Sequence, residues 1–232
     1  MANITKNVVV ILSGGLDSTT CMGVAQEQGY AIYALTFDYG QRHQREIEAA
    51  KEIAKHYNVV EHQIVAMPFF RQIGKSALTD DRIEVPKDGV NPEAIPVTYV
   101  PGRNLIFLSM ATAYAETVEA NAIFIGVNAL DYSGYPDCRT EFIEAFQHAA
   151  QIATKTGVQG LTLSIETPLQ QLSKADIVRL GTRLNVPYSL TTSCYQGEEE
   201  ACGECDSCRL RLEGFRQAGL VDPIAYRKII TR

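Results

Sequence analysis

The chain has no apolar run long enough to span a bilayer, so no membrane partner is expected. It has no G-x-x-x-x-G-K-[ST] loop, so it holds no Walker lysine for the β- and γ-phosphates of a nucleotide. Basic charge is in deficit: 21 Lys and Arg against 27 Asp and Glu leave a formal charge of −6. Such a chain is a poor electrostatic match for a long nucleic acid, and no stable nucleic-acid partner is expected. Residues 1–6 carry no basic segment followed by an apolar core and a small-residue cleavage site, so the expected location is cytoplasmic. There is no internal repeat, low-complexity tract or long linker. The 232 residues fit one large domain, or one domain with an appendage. No glutaminase-like domain is evident in that length, which favours free ammonia over a tethered donor for any amination. A homodimer is compatible with all of this.

What is present alternates between two kinds of segment. Apolar runs at 8–12, 31–37, 59–66, 122–127 and 161–166 read as strands. Segments at 17–28, 41–57, 104–119, 140–154 and 173–184 read as helices, the last opened by a capping-box pattern from Ser173 to Asp176. Strands alternating with helices at this spacing predict an α/β fold, a doubly wound and mainly parallel five-stranded sheet. The stretch 76–100, with Pro86, Pro92 and Pro96, breaks the alternation as a long connection of the kind that forms lids or binding loops.

The most informative stretch runs from Ser13 to Thr19, SGGLDST, between the first strand and the first helix. Glycines let backbone approach a ligand closely. The amides of a first helical turn have no internal partners and, with the helix dipole, suit phosphate. Ser13, Ser18 and Thr19 add hydroxyls. A carboxylate at Asp17 would repel a polyphosphate unless a cation intervened, which predicts Mg²⁺.

The second informative pattern is Cys194-x₇-Cys202-x₂-Cys205-x₂-Cys208. Four thiolates at C-x-x-C spacing close a tetrahedral shell around one ion and leave no place for water, so the metal is expected to be structural. Zn²⁺ is the first choice, an iron–sulfur cluster the main competitor and a redox C-x-x-C the third. Cys21 and Cys138 stand apart and read as structural, although a loop thiol beside Arg139 could be reactive.

The SGGLDS loop resembles the pyrophosphate-binding loop of the ATP pyrophosphatase (PP-loop) superfamily. With the cysteine tail, the chain resembles the 7-cyano-7-deazaguanine synthase family. The resemblance is carried by LSGGLDSTTC at 12–21, FDYGQRH at 37–43, VPGRN at 100–104, NALDYSGYPDCR at 128–139, TPLQQLSKADIVRLG at 167–181 and SCYQGEEEACGECDSCRLR at 193–211. It implies an adenine nucleotide alpha hydrolase-like fold, with a PP-loop domain over 1–186 and a zinc-binding, C-terminal helical region over 187–232. It also implies the reaction: ATP-dependent ligation of 7-carboxy-7-deazaguanine with ammonia, through adenylate and amide intermediates, to the nitrile precursor of queuosine. Composition and spacing reach only ATP-dependent activation of an oxygen, with a structural metal.

On this reading ATP is held by Leu12, Ser13, Gly14, Gly15, Leu16, Asp17, Ser18, Thr19, Thr20, Cys21 and Met22. Lys174, opening a helix after the fifth strand, is expected to meet the polyphosphate or the charge developing on the α-phosphate. Asp17 and His43 complete the catalytic set, His43 as a base toward ammonium. Arg103, Asn104, Asp131, Tyr132, Tyr135, Asp137 and Arg139 are the substrate candidates: arginine for carboxylate, tyrosine for stacking, carboxylate for an amidine edge. Two rivals remain at this point. A PP-loop tRNA sulfurtransferase would need a persulfide cysteine or an iron–sulfur cluster and a basic face. A non-catalytic adenine-nucleotide-sensing module would bind without turnover.

Overall fold

Val8, Val9 and Val10 are all fully buried, which a strand achieves only when covered on both faces. They belong to β1 (Asn7–Ile11), the centre of a five-stranded sheet with β2 (Ala31–Asp38), β3 (Glu61–Ala66), β4 (Ala122–Phe124) and β5 (Ser164–Glu166). The order is β3-β2-β1-β4-β5 and every pairing is parallel. The computed structural model describes residues 6–41, 45–86, 95–128, 135–196 and 199–227.

Alternate side chains of β1 enter different cores. Val9 and Ile11 join Phe107, Leu108 and Ala111 of α4 (Arg103–Thr117) and Ile143 and Phe146 of α5 (Thr140–Ala153). Val8 and Val10 join the other face, formed by α1 (Leu16–Glu27), α2 (Arg45–His56), α7 (Lys174–Arg183) and α8 (Asp206–Ala218). Shorter helices, α3 (Phe69–Ile73) and α6 (Lys155–Val158), and single 3₁₀ turns at Pro136–Cys138 and Tyr188–Leu190 fill the connections. The expected doubly wound sheet is therefore present, and it is parallel throughout.

β4 and β5 are each three residues long, shorter than their apolar runs. The chain leaves β4 at Ile125 and Gly126 to approach the loop after β1. The residues before β5 are drawn off by α6, whose Thr156 carbonyl accepts the Leu161 amide at 3.0 Å. The C-terminal region packs into the main core: Tyr188 and Phe215 share the cluster of Cys21, Ile177 and Val178. Among the described residues no helix is long and apolar enough to cross a membrane.

Candidate active site and metal centre

Strand order reverses between β1 and β4, and the crevice at their C-terminal ends is where open parallel sheets bind ligands. A cavity of about 210 Å³ lies there. Its floor is the loop after β1. Gly14 has a φ of 82°, and a Cβ on it would collide with the Glu46 carbonyl oxygen in the first turn of α2. Only glycine lets loop and helix approach this closely. On the other side, a Cβ on Gly126 would stand 3.0 Å from the Ser18 amide nitrogen, so the exit of β4 also presses on the loop. Within the loop, Ser13 Oγ and Ser18 Oγ are 3.0 Å apart and Ser18 Oγ donates to the Gly15 carbonyl at 3.2 Å. The α1 start is thus braced, with its first-turn amides directed at the cavity.

Lys174 Nζ donates to both carboxylate oxygens of Asp17, at 2.8 and 2.9 Å. Asp17, where the sequence predicts Mg²⁺ beside a polyphosphate, is paired in this structure with a lysine from α7. Three contacts place it. Ser173 Oγ accepts the Asp176 amide at 3.2 Å and caps α7. Buried Asn128, at the exit of β4, donates to the Leu169 and Leu172 carbonyls at 2.9 and 2.7 Å and fixes the turn before α7. On α8, any Cβ at Gly214 would collide with Lys174 Cγ, so helix α8 lies directly against the lysine stem.

Arg103 opens α4 and faces the same cavity. It donates to Tyr39 Oη at 3.4 Å, with its guanidinium carbon 5.8 Å from the Tyr39 ring centre. Burial opposes its charge, but the Tyr39 and Tyr135 oxygens and the Asp137 carboxylate outweigh that and raise its pKa. Burial also pushes the Tyr39 phenol up to about 12. Phe107 stacks on Phe37 at 4.0 Å, giving the cavity an apolar wall beside Arg103.

The structure divides the sequence-predicted residues. Ser13, Gly15, Leu16, Asp17, Ser18, Arg103, Asn104, Tyr135 and Lys174 all line the cavity. Asp137 is buried beside it and accepts the Asn104 amide at 2.9 Å, while Asn104 Nδ2 donates to the Asp137 carbonyl at 3.2 Å. Desolvation raises the Asp137 pKa. Its place is behind Asn104, holding the start of α4. Arg139 is exposed, donates to the Pro136 carbonyl at 3.3 Å and is not part of the cavity wall. Thr19 and Thr20 turn their hydroxyls back to the Gly15 and Leu16 carbonyls, at 2.7 and 2.8 Å, and Leu12, Cys21 and Met22 are core residues. His43, Asp131 and Tyr132 lie outside the described residues.

Several wall residues are not among the expected site residues, although most of them fall in the stretches 37–43 and 193–211 that carry the resemblance. Tyr39 and Glu46 come from either side of the start of α2; Thr192, Ser193, Tyr195, Ser207 and Arg211 come from the cysteine region. The Thr192 amide donates to the Gly14 carbonyl at 3.0 Å, tying that region to the phosphate loop. Arg211, 2% exposed, grips Asp222 with Nε at 2.7 Å and Nη2 at 2.9 Å, and its Nη1 donates to Thr191 Oγ1 at 2.6 Å. The C-terminal region is a wall of the site as well as the carrier of the four-cysteine cluster.

The sulfurs of Cys194, Cys202, Cys205 and Cys208 all lie within 4.8 Å of one another, and Cys202 Sγ is 3.9 Å from Cys208 Sγ. A metal–sulfur bond of about 2.3 Å in a tetrahedron separates sulfurs by roughly 3.8 Å, so the four fit one ion. A multi-iron cluster, in which thiolates bind different irons, would spread them wider. Backbone amides support the thiolates: Gln196 and Cys202 donate to Cys194 Sγ, and Glu204 and Cys205 to Cys202 Sγ, at 3.3–3.4 Å. Such amide donors favour the ionised sulfur a metal needs.

Residues 7–219 match the family described as Queuosine biosynthesis protein QueC. A protein named 7-cyano-7-deazaguanine synthase from Oceanobacillus iheyensis is 60% identical over 221 residues, 95% of this chain and 98% of its own length. One of the same name from Acetivibrio thermocellus is 58% identical over 221 residues, again 95% of this chain and 98% of its own. Likeness to a solved NMN synthetase from Francisella tularensis is weaker, with a TM-score of 0.49 and 16% identity over 94% of this chain and 89% of that one.

Proposed function

The chain belongs to the QueC family, and on that premise we propose that it is an ATP-dependent ligase converting 7-carboxy-7-deazaguanine and ammonia to 7-cyano-7-deazaguanine. The observation that carries this is the meeting of the loop after β1, Lys174 and Arg103 on one cavity at the switch point of the sheet. In this reading the α1 start, Ser13 and Ser18 hold the phosphates of ATP. Lys174, released from Asp17, neutralises charge growing on the α-phosphate, and Asp17 is left facing the Mg²⁺ that accompanies the nucleotide. Arg103 receives the substrate carboxylate through its paired donors. Tyr135 and Tyr195 offer aromatic faces to the flat base. The apolar wall of Phe107 and Ile125 keeps water from the activated acyl group.

The carboxylate attacks the α-phosphorus and ammonia displaces AMP to give an amide. The amide oxygen is then activated in the same way, because dehydration needs that oxygen as a good leaving group. Cys194, Cys202, Cys205 and Cys208 hold a structural Zn²⁺, and the nucleotide unit over 1–186 and the metal region over 187–232 both line the site. A sulfur-transfer role has no chemical support from the isolated thiols. Cys21 and Cys138 are buried, and burial pushes Cys138 up to about 12, the reverse of what a nucleophilic thiolate needs.

The test is isotopic. With oxygen-18 in the substrate carboxylate, ATP and ammonium, label is expected in AMP alongside unlabelled pyrophosphate. Label in inorganic phosphate, with ADP formed directly, overturns adenylation.

A further inference from the structure

Glu46 occupies the first turn of α2 and lines the same cavity as Asp17, Lys174 and Arg103, yet none of the functions above uses it. Its position is tightly set. Its carbonyl is the atom against which Gly14 packs, so the helix turn that carries it is fitted to the phosphate loop. Two groups act on its carboxylate through charge, the Arg103 guanidinium and the Tyr39 phenol, and both sit on the substrate side of the cavity. Glu46 therefore lines one cavity with the loop assigned to the phosphates and with the arginine assigned to the acid, and its carboxylate feels the charge of that arginine. On the adenylation reading the acyl carbon of an acyl-adenylate occupies this cavity.

Ammonia reaches a protein near neutral pH mainly as ammonium, which has no lone pair to attack with. A proton must leave before the C–N bond forms. An anionic side chain beside the acyl carbon serves twice: it attracts the cation and then takes the proton. Resting on the adenylation reading, we propose that Glu46 is the proton acceptor that converts bound ammonium to ammonia at the adenylate. The carboxylate gains one proton and ammonium becomes ammonia. The nitrogen lone pair forms the bond to carbon, AMP leaves with the carbon–oxygen electron pair, and a proton from the new nitrogen passes to solvent. The environment of Glu46 suits the task. Burial, partly offset by Arg103, raises its carboxyl to about 7, so both protonation states are accessible at neutral pH. Among the described residues, Arg103 and Tyr39 are the charged and titratable groups that act on it, and neither competes as a base: the guanidinium stays protonated and the phenol is held at about 12.

Two assays on wild-type, E46Q and E46D enzyme decide this. ATP–pyrophosphate exchange with the acid and no amine reads adenylate formation alone. Its absence in the wild type overturns the adenylation reading, and this role with it, before Glu46 is in question. Given exchange, E46Q is expected to keep it with an unchanged KM for the acid. Its kcat/KM for ammonium should then fall about 100-fold, with a loss of no more than about threefold for hydroxylamine, which is already neutral at pH 7. E46D should recover part of the ammonium reaction. Equal losses with both nucleophiles, or a raised KM for the acid in exchange, overturn the proposal and make Glu46 a shaping or base-binding residue.

Discussion

The phosphate loop and the cysteine region build the same cavity by different means. The loop is contiguous in sequence and rests on a sheet whose central strand is buried from Val8 to Ile11. Its shape comes from one glycine at a forced position, Gly14, and from the start of a 12-residue helix. The cysteine region has little apolar core of its own: its cluster is four cysteines with Ala77, Val85 and Ala201. It relies on thiolates close enough to share one ion and on the buried pair of Arg211 and Asp222. Yet the two are joined by the Thr192 amide to Gly14, and by α8 against Lys174. A braced loop forms the floor of the cavity, while the remaining wall depends on a region stabilised by local chemistry. Damage to the second should therefore reach the first.

The sharpest way to break the comparison is Cys205→Ser. Structural zinc contributes on the order of 10 kcal/mol to folding in small domains, so loss of one thiolate should release the metal and loosen 187–232. Elemental analysis should show metal loss, and hydrogen exchange should rise across α8 while β1 and β2 stay protected. Equal loosening of the central strands would mean that the two regions are one cooperative unit. Next comes Arg211→Met, which leaves Asp222 buried without its partner and should cost about 3–5 kcal/mol. Denaturant melts should show the loss, and the double variant with Asp222→Asn should recover part of it. The smallest effect is expected at Gly14→Ala. The left-handed backbone and the collision with the α2 turn together cost roughly 2–4 kcal/mol. Here the metal content should stay at wild-type level while nucleotide affinity falls, the reverse of the Cys205 result.

Much of the site was legible where chemistry is local. The SGGLDS loop, Lys174 after its Ser173 cap and Arg103 at the opening of α4 each carry a signature within a few residues, and all three meet at the cavity. The four cysteines announced their cluster by spacing alone. Asp17 shows where local logic stops. Its charge leads to the expectation of Mg²⁺, and nothing nearby in sequence says that Lys174, 157 residues away, pairs with it in this structure. Asp137 and Arg139 show the same limit. Both sit in a segment rich in polar and aromatic residues, and only packing distinguishes the buried carboxylate behind Asn104 from the exposed guanidinium.

The sequence by itself determined the alternation that gives a parallel sheet, the glycine loop after β1 and the four-cysteine cluster. Each rests on spacing along the chain: glycines at a strand–helix junction, apolar periodicity, and thiols two residues apart. The tertiary structure alone decided that Glu46, Tyr39, Ser207 and Arg211 face the nucleotide crevice, and that the cysteine region closes it. Those residues are brought together by the reversal of strand order between β1 and β4 and by the packing of α8 on α7. Contacts of that kind form between segments far apart in the chain, where local spacing carries no signal and burial of the shared core sets which side chains meet.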